Sequence, residues 1–251
     1  MGRPGAVLMA VVAIVQARMG SERLPGKVLL GIAGKSMLAH VVHRLQRARL
    51  IDRVIVATTT SDADGAIVAE CDQIGVLSIC GSEADVLGRY QTAALAVDAD
   101  VIVRVSADSP FVDPEVCDLV VSRFSGAEPP VDYASNKIEP SFPLGLDVEV
   151  FTREALTRTA MEAVEPFERA HVTVYMYQHP ERFRLLAVRV DRDLHSWRWT
   201  VDTPEDLAFA RAVFKRLGGD FAWHEAVTLI EREPALAEIN SHVMAKPVTD
   251  G

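Results

Sequence analysis

Ala6-Val7-Leu8-Met9-Ala10-Val11-Val12-Ala13-Ile14-Val15 runs directly into Gln16-Ala17-Arg18-Met19-Gly20-Ser21-Glu22-Arg23-Leu24-Pro25-Gly26-Lys27, and the junction decides the fold. The apolar half has two readings. With Arg3 as a charged flank it could be the core of a signal peptide. Short, rich in Val and Ile, and ending abruptly, it also has the form of a strand buried on both faces of a parallel sheet. The strand reading is preferred, because the polar, glycine-bearing stretch that follows leads into a helical pattern at Ser36. No other run approaches the ~18 apolar residues that a membrane span requires.

Downstream, Arg18 to Lys35 reads as a long loop and Ser36 as the N-cap of a helix with an apolar stripe of Met37, Leu38, Val41, Val42 and Leu45. Strands are predicted at Arg53–Ala57, Val76–Cys80 and Val101–Val105, with helices at Asp64–Gln73, Glu83–Ala96 and Pro114–Phe124 between and after them. This alternation predicts an α/β fold, a doubly wound, mostly parallel sheet, in which ligands lie beyond the carboxyl ends of the strands. From Ser125 the rhythm changes. Val131–Ala134 and the alternating Leu146–Phe151 read as short strands, the second antiparallel or at an edge. Helices at Arg153–Ala163 and Pro166–Gln178 and a strand at Arg184–Val190 complete an inserted smaller lobe, about residues 131–190. The chain returns to the core at Trp197–Asp202, and a helix begins at Pro204. Residues 6–240 are read as one domain and 241–251 as a flexible tail.

The chain has 251 residues, 49% of them hydrophobic and 24% charged, enough to bury a sizeable core and too apolar for disorder. A net charge of -9 argues against non-specific binding of nucleic acid or anionic membrane, although a few cations in one cleft still suffice for a nucleotide. Cys71, Cys80 and Cys117 are isolated, with no CxxC pair, so neither a disulfide scaffold nor a zinc site is expected and a reduced, cytoplasmic setting fits.

The chemistry concentrates in loops that follow strands. Between Gln16 and Lys27 three cations (Arg18, Arg23, Lys27), two glycines and Ser21 share one segment. Glycine allows close backbone approach, and the N–H groups of such a loop can form an anion-binding nest. The segment suits a triphosphate but matches neither GxxxxGK[ST] nor GxGxxG; a solvated basic loop is the plainer alternative. Asp108 and Asp202 each follow an apolar stretch at the expected carboxyl edge. Magnesium asks for one or two carboxylates, phosphate oxygens and waters, which two such acids can supply. Asp202-Thr203-Pro204-Glu205 is equally a good helix start, so capping remains open on pattern alone. Arg104 stands in an otherwise apolar strand and needs a partner or the cleft. Asp147 and Glu149 share a strand face by the period of two; with Ser141 and His171 they are candidate acceptor contacts or ordinary ion-pair and packing residues.

Ile14 to Leu29 resembles the opening motif of the SpsF-type spore-coat polysaccharide cytidylyltransferases, which belong with the acylneuraminate and KDO cytidylyltransferases. Three further segments agree in order: Arg104-Val105-Ser106-Ala107-Asp108-Ser109-Pro110, Gly145-Leu146-Asp147-Val148-Glu149-Val150-Phe151, and Trp199-Thr200-Val201-Asp202-Thr203-Pro204-Glu205-Asp206-Leu207. The similarity covers about residues 11–215. It implies a nucleotide-diphospho-sugar transferase-like Rossmann fold and an enzyme that transfers CMP from CTP to a small acidic acceptor, a nonulosonate or KDO-like sugar acid, and releases pyrophosphate. It places the triphosphate on Ala17, Arg18, Met19, Gly20, Ser21, Arg23 and Lys27, with Lys27 nearest the α-phosphate. Catalytic roles fall to Lys27, Asp108 and Asp202, and Mg²⁺ or Mn²⁺ to Asp108 and Asp202. The cytosine is expected near Thr58, Thr59 and Ser82, and the acceptor near Arg104, Ser141, Asp147, Glu149 and His171. A homodimer is the family habit. Phosphonate acceptors, sugar-phosphate nucleotidylyl transfer with another NTP, and a non-catalytic nucleotide-binding module are the competing functions. Two departures stand out: Ala107 where relatives commonly carry glycine, and Arg198 before Trp199.

Overall fold

The computed structural model describes residues 9–244. Residues 6–8 of the opening apolar run, and most of the expected tail, lie outside the described residues. The remainder of that run forms β1 (Val11–Gln16), with the two edge-free faces the strand reading requires. A hairpin of β2 (Gly31–Ile32) and β3 (Lys35–Ser36) precedes α1 (Met37–Leu45). Then follow β4 (Arg53–Thr59), α2 (Gly65–Gln73), β5 (Leu77–Gly81), α3 (Val86–Ala96), β6 (Val101–Ser106) and α4 (Pro114–Ser125). The later chain supplies β7 (Tyr133–Ser135), β8 (Glu149–Thr152), α5 (Arg153–Glu162), α6 (Pro166–His171), α7 (Val174–Gln178) and β9 (Leu185–Ala187). It ends with α8 (Pro204–Leu217), α9 (Trp223–Arg232) and α10 (Ala235–Glu238).

One seven-stranded sheet organises these elements in the order β5-β4-β1-β6-β8-β7-β9. β1 pairs in parallel with β4 and with β6, so Ile14 lies opposite both Ile55 and Arg104. Because side chains alternate along a strand, β1 feeds two cores at once. Ala13 and Val15 join the layer built with α1, α4 and α8; Val12 and Ile14 join the layer built with α3 and α5. Residues 131–190 add β8, β7 and β9 to one end of the same sheet and carry α5, α6 and α7 with them. β8 runs antiparallel between β6 and β7, the antiparallel alternative suggested by its alternating sequence.

Local chemistry explains the boundaries. Ser36 caps α1, its Oγ accepting from Ala39 N–H at 3.0 Å, and Gly75, at φ 69, lets the chain reverse after α2. The long loop expected before Lys35 holds a 3-10 turn at Lys27–Leu29 and the β2–β3 hairpin. The single helix expected over Pro166–Gln178 is split in two at Val172, whose φ is 62. A β-branched residue in that region costs on the order of 1–3 kcal/mol, so the surroundings must hold it. Val172 is fully buried, and the next residue, Thr173, donates its hydroxyl to Glu149 Oε1 at 2.6 Å. Trp197–Asp202 joins no named strand and makes one isolated bridge, Leu144 with Arg198.

Candidate active site

Three segments remote in sequence meet at the carboxyl edge of β1 and β6. The glycine-basic loop folds back on itself: Gly26 N–H donates to Met19 O at 3.0 Å and Gly26 adopts φ 67. Lys27, the first residue of the 3-10 turn, is thereby turned inward. Its Nζ donates to Asp108 Oδ2 at 2.7 Å, to Asp202 Oδ1 at 2.7 Å and to the carbonyl of Val201 at 2.9 Å. The two carboxylates therefore converge on one point.

Asp202 reaches that point through backbone threading. Asp108 O accepts from Val201 N–H at 2.8 Å. Leu144 accepts from Trp199 N–H at 2.7 Å and Thr200 N–H at 3.1 Å. Gly145, at φ 107, must be glycine here, since a Cβ would lie 2.5 Å from Thr200 N. The capping alternative for Asp202 is resolved by its neighbour: Thr203 is the N-cap of α8 and forms a capping box with Asp206. Asp202 is left to the cleft.

A second layer braces it. Arg198 donates to Asp202 Oδ2 at 2.6 Å and takes Asp206 with two bonds, Nε to Oδ1 at 2.9 Å and Nη2 to Oδ2 at 3.0 Å. Arg23 Nη2 lies 3.0 Å from Asp202 Oδ2. Burial alone would lower the Lys27 ammonium and raise the Asp202 carboxyl. The charges win in both: Asp108 and Asp202 hold Lys27 above its ordinary value, and Lys27, Arg198 and Arg23 hold Asp202 below its own. Arg198 and Asp206 were not among the expected site residues; Arg198 had been noted only as unusual. Asn240, the last residue of the expected domain, is buried and donates to Arg198 O and Asp206 Oδ1, both at 2.9 Å.

The loop's backbone is less open than a full nest. The Ala17 N–H donates to Ala57 O at 3.1 Å, Met19 N–H to Asp64 Oδ1 at 2.7 Å, and Ser21 N–H to Met19 O at 2.8 Å. The amides of Arg18 and Gly20 have no hydrogen-bond partner among the described residues. Folding the loop thus engages the Ala17, Met19 and Ser21 amides within the protein. Asp64, read from sequence only as a helix start, is the tie: buried, it also accepts from the Thr59 hydroxyl.

Of the expected base contacts, Thr58 and Thr59 are buried. The Thr59 hydroxyl is committed to Asp64. Ser82 is exposed, and its Oγ accepts from Asp85 N–H at 3.1 Å at the start of α3. The loop after β5 faces the glycine-basic loop: Arg18 Nη1 stands 3.9 Å from Glu83 Oε1, and a Cβ on Gly20 would lie 3.5 Å from the same oxygen.

The expected acceptor residues divide. Arg104 donates from Nη1 to Glu149 Oε2 and from Nη2 to Gln16 Oε1 at 3.1 Å. Glu149 also accepts from the Tyr133 hydroxyl at 2.7 Å and from Thr173. Burial would raise the Glu149 carboxyl, but Arg104, Lys137 and the two hydroxyls hold it at about 2. Arg104 and Glu149 therefore satisfy one another in the sheet. Lys137 Nζ, 3.9 Å from Glu149 Oε2, is a cation the sequence reading missed. Asp147 precedes β8, and burial raises its carboxyl. Ser141 has no exposed surface, and its Oγ accepts from Val190 N–H at 3.1 Å. His171 closes α6, and its carbonyl accepts from Thr173 N–H at 2.6 Å.

A strongly ligating metal cage is absent among the described residues. A magnesium-type ion that keeps waters and phosphate oxygens needs only one or two carboxylates, and Asp108 and Asp202 fit that modest requirement. No helix among the described residues is long and apolar enough to cross a membrane.

A mostly parallel sheet with cations and converging carboxylates at its carboxyl edge is an α/β scaffold with a cleft suited to a phosphate-bearing ligand. Comparison with known proteins narrows the class. Residues 12–229 match the family described as Cytidylyltransferase, and the chain belongs to that family. It is 33% identical to the spore coat polysaccharide biosynthesis protein SpsF of Bacillus subtilis, over 89% of this chain and 95% of that protein. It is 30% identical to a 3-deoxy-manno-octulosonate cytidylyltransferase of Anaeromyxobacter dehalogenans, over 81% of this chain and 97% of the relative. The structure of a cytidylyltransferase from Leptospira borgpetersenii superposes with a TM-score of 0.89 at 29% identity, covering 95% of this chain and 99% of the other.

Proposed function

We propose that the chain transfers CMP from CTP to a small acidic acceptor, a 2-keto sugar acid of the nonulosonate or KDO kind. The acceptor hydroxyl oxygen bonds to the α-phosphorus, the bond from that phosphorus to the bridging oxygen of the β-phosphate breaks, pyrophosphate leaves, and the hydroxyl proton is released. The observation that carries this reading is the single Lys27 ammonium bonded at 2.7 Å to both Asp108 and Asp202. A fixed cation with two acids beside it supports the reading, since cutting a triphosphate needs charge of that kind at the α-phosphate.

Catalysis of this kind rests on positioning and charge rather than covalent help. Lys27 holds the α-phosphoryl oxygens, and Arg23 sits near enough to Asp202 to share the phosphates. Arg18 and the Arg18 and Gly20 amides serve the triphosphate from the other side of the loop. Asp108 and Asp202 would hold Mg²⁺ or Mn²⁺, which when bound offsets charge on the phosphates and on the departing pyrophosphate. The acceptor lies toward Arg104, Lys137, Asp147 and His171. The relatives' names support a sugar-acid acceptor, the free cysteines a reducing cytoplasm, and family habit a homodimer.

Pyrophosphate release, assayed with each of the four NTPs against sugar acids and phosphonates, tests the reading. CTP-dependent release with a sugar acid is expected. Release only with a phosphonate moves the acceptor class, release with another NTP moves the donor, and CTP binding without release under any acceptor removes the enzymatic reading.

A further inference from the structure

Arg198 stands behind the Lys27–Asp108–Asp202 centre with a side chain only 8% exposed. Its backbone is held at two points: the residue bridges to Leu144, and its carbonyl accepts from Asn240 Nδ2 at 2.9 Å. Its guanidinium is clamped to Asp206, a carboxylate with no exposed surface, through Nε to Oδ1 at 2.9 Å and Nη2 to Oδ2 at 3.0 Å. Asp206 does not need that cation for hydrogen bonds alone. It also accepts from the Asp202 and Thr203 amides at 2.9 and 3.1 Å and from Asn240 Nδ2 at 2.9 Å. What the forked clamp does is fix the direction of Nη2, whose other contact is Asp202 Oδ2 at 2.6 Å.

The consequence falls on Asp202, whose two oxygens are used differently. Oδ1 meets Lys27 at 2.7 Å, on the side shared with Asp108. Oδ2 meets Arg198 at 2.6 Å and Arg23 at 3.0 Å. Arg23 lies on the glycine-basic loop with a side chain 29% exposed, so it is free to follow an arriving phosphate. Arg198 is not, because leaving would strand the buried Asp206 without its cation. A carboxylate can give a metal ion one oxygen or both. Calcium gathers about six to eight oxygens in flexible geometry and readily takes both from one carboxylate, whereas magnesium keeps several waters in a strict octahedron that disfavours such chelation.

We infer that Arg198 is a positioning residue that sets which divalent ion the site accepts. By withholding Oδ2 it leaves Asp202 a single oxygen, Oδ1, to give, which suits Mg²⁺ and leaves Ca²⁺ short of a ligand. This rests on the proposed binding of metal-bound CTP at Asp108 and Asp202, and it adds a role for a side chain that touches neither nucleotide nor metal. Lys27 and Arg23 form the exchangeable side of the cluster, and Arg198 the fixed side. A water on Oδ2 would give way to an incoming cation; a guanidinium anchored to a second, buried acid does not.

Titration calorimetry on the full chain tests this without turnover, by measuring CTP binding in saturating Mg²⁺, in saturating Ca²⁺ and in EDTA, with no acceptor present. The native chain should bind the Mg²⁺ complex of CTP at least about tenfold more tightly than the Ca²⁺ complex. Arg198→Met should erase that preference, chiefly by tightening the Ca²⁺ complex. Equal weakening of both complexes would make Arg198 a structural prop and overturn the proposal, as would a native chain indifferent to the ion or an unchanged preference in a folded variant. Should Arg198→Met fail to fold because Asp206 is left buried without its cation, Arg198→Met combined with Asp206→Asn removes both partners and is judged by the same ratio. No CTP binding by the native chain, or binding equal with metal and in EDTA, sinks the metal–CTP reading itself; metal-dependent binding with an unchanged ion ratio in the variants sinks this proposal alone.

Discussion

Two charged clusters flank β6 and obey different rules. Around Glu149 every contact is internal: Arg104, Tyr133 and Thr173 all bond to a carboxylate that is 2% exposed. Around Lys27 the partners are half-open to solvent, with the Asp108 and Asp202 side chains each 22% exposed. The first arrangement is closed and holds the sheet end together. The second has acids that solvent reaches, so they and their cations can exchange partners, as the proposed nucleotide site requires. Burial with saturation marks structure, and partial exposure with convergence marks chemistry.

That contrast is broken most sharply by removing an acid from each cluster. Asp108→Ala or Asp202→Ala should lower turnover at least about a hundredfold, since one positioned charge in such a site is worth roughly 3–4 kcal/mol. Near-normal CMP transfer at saturating magnesium would show that these acids are not the centre. Lys27→Ala should likewise slow chemistry more than it lowers the melting temperature.

Glu149→Gln should do the reverse, costing about 3–5 kcal/mol of unfolding free energy, because Arg104 is left as an unpaired buried charge. Denaturant titration reads this directly. The Glu149 carboxyl sits at about 2 when folded against 4.5 ordinarily, so its contribution is complete above about pH 4.5 and lost as the pH falls toward 2. The gap in stability between the native chain and Glu149→Gln should therefore close on acidification. A gap independent of pH would mean that the carboxylate's charge is not what matters.

The smallest effect belongs to the exposed pair across the cleft. Glu83→Ala should change stability by no more than about 0.5–1 kcal/mol, as solvent-screened pairs do. A larger loss would make that pair a structural latch.

The alternation of strands and helices was readable because β1, β4 and β6 are short Val- and Ile-rich runs buried on both faces. The motif segments around Lys27, Asp108 and Asp202 were readable because each pairs an abrupt apolar stop with a charge. What pattern could not show was which side chains meet. Asp64 looked like a helix start, but its carboxylate ties Met19, forty-five residues earlier. Pattern could not show that Arg104 and Glu149, both candidates for ligand contact, stand side by side in the antiparallel register of β6 and β8. Val172 breaks a helix that local propensity supports because tertiary contacts around Thr173 outweigh it. Each miss depends on distances between remote segments, and periodicity describes only neighbours.

Asn240 carries a consequence for assembly. Its amide spans Arg198 and Asp206, and Arg198 in turn holds Asp202. A chain cut before that asparagine keeps every reactive group but loses the strut behind one of them. Such a fragment should fold its sheet and keep Asp202 on Lys27 and Arg198, yet hold the Arg198–Asp206 pair behind it less firmly.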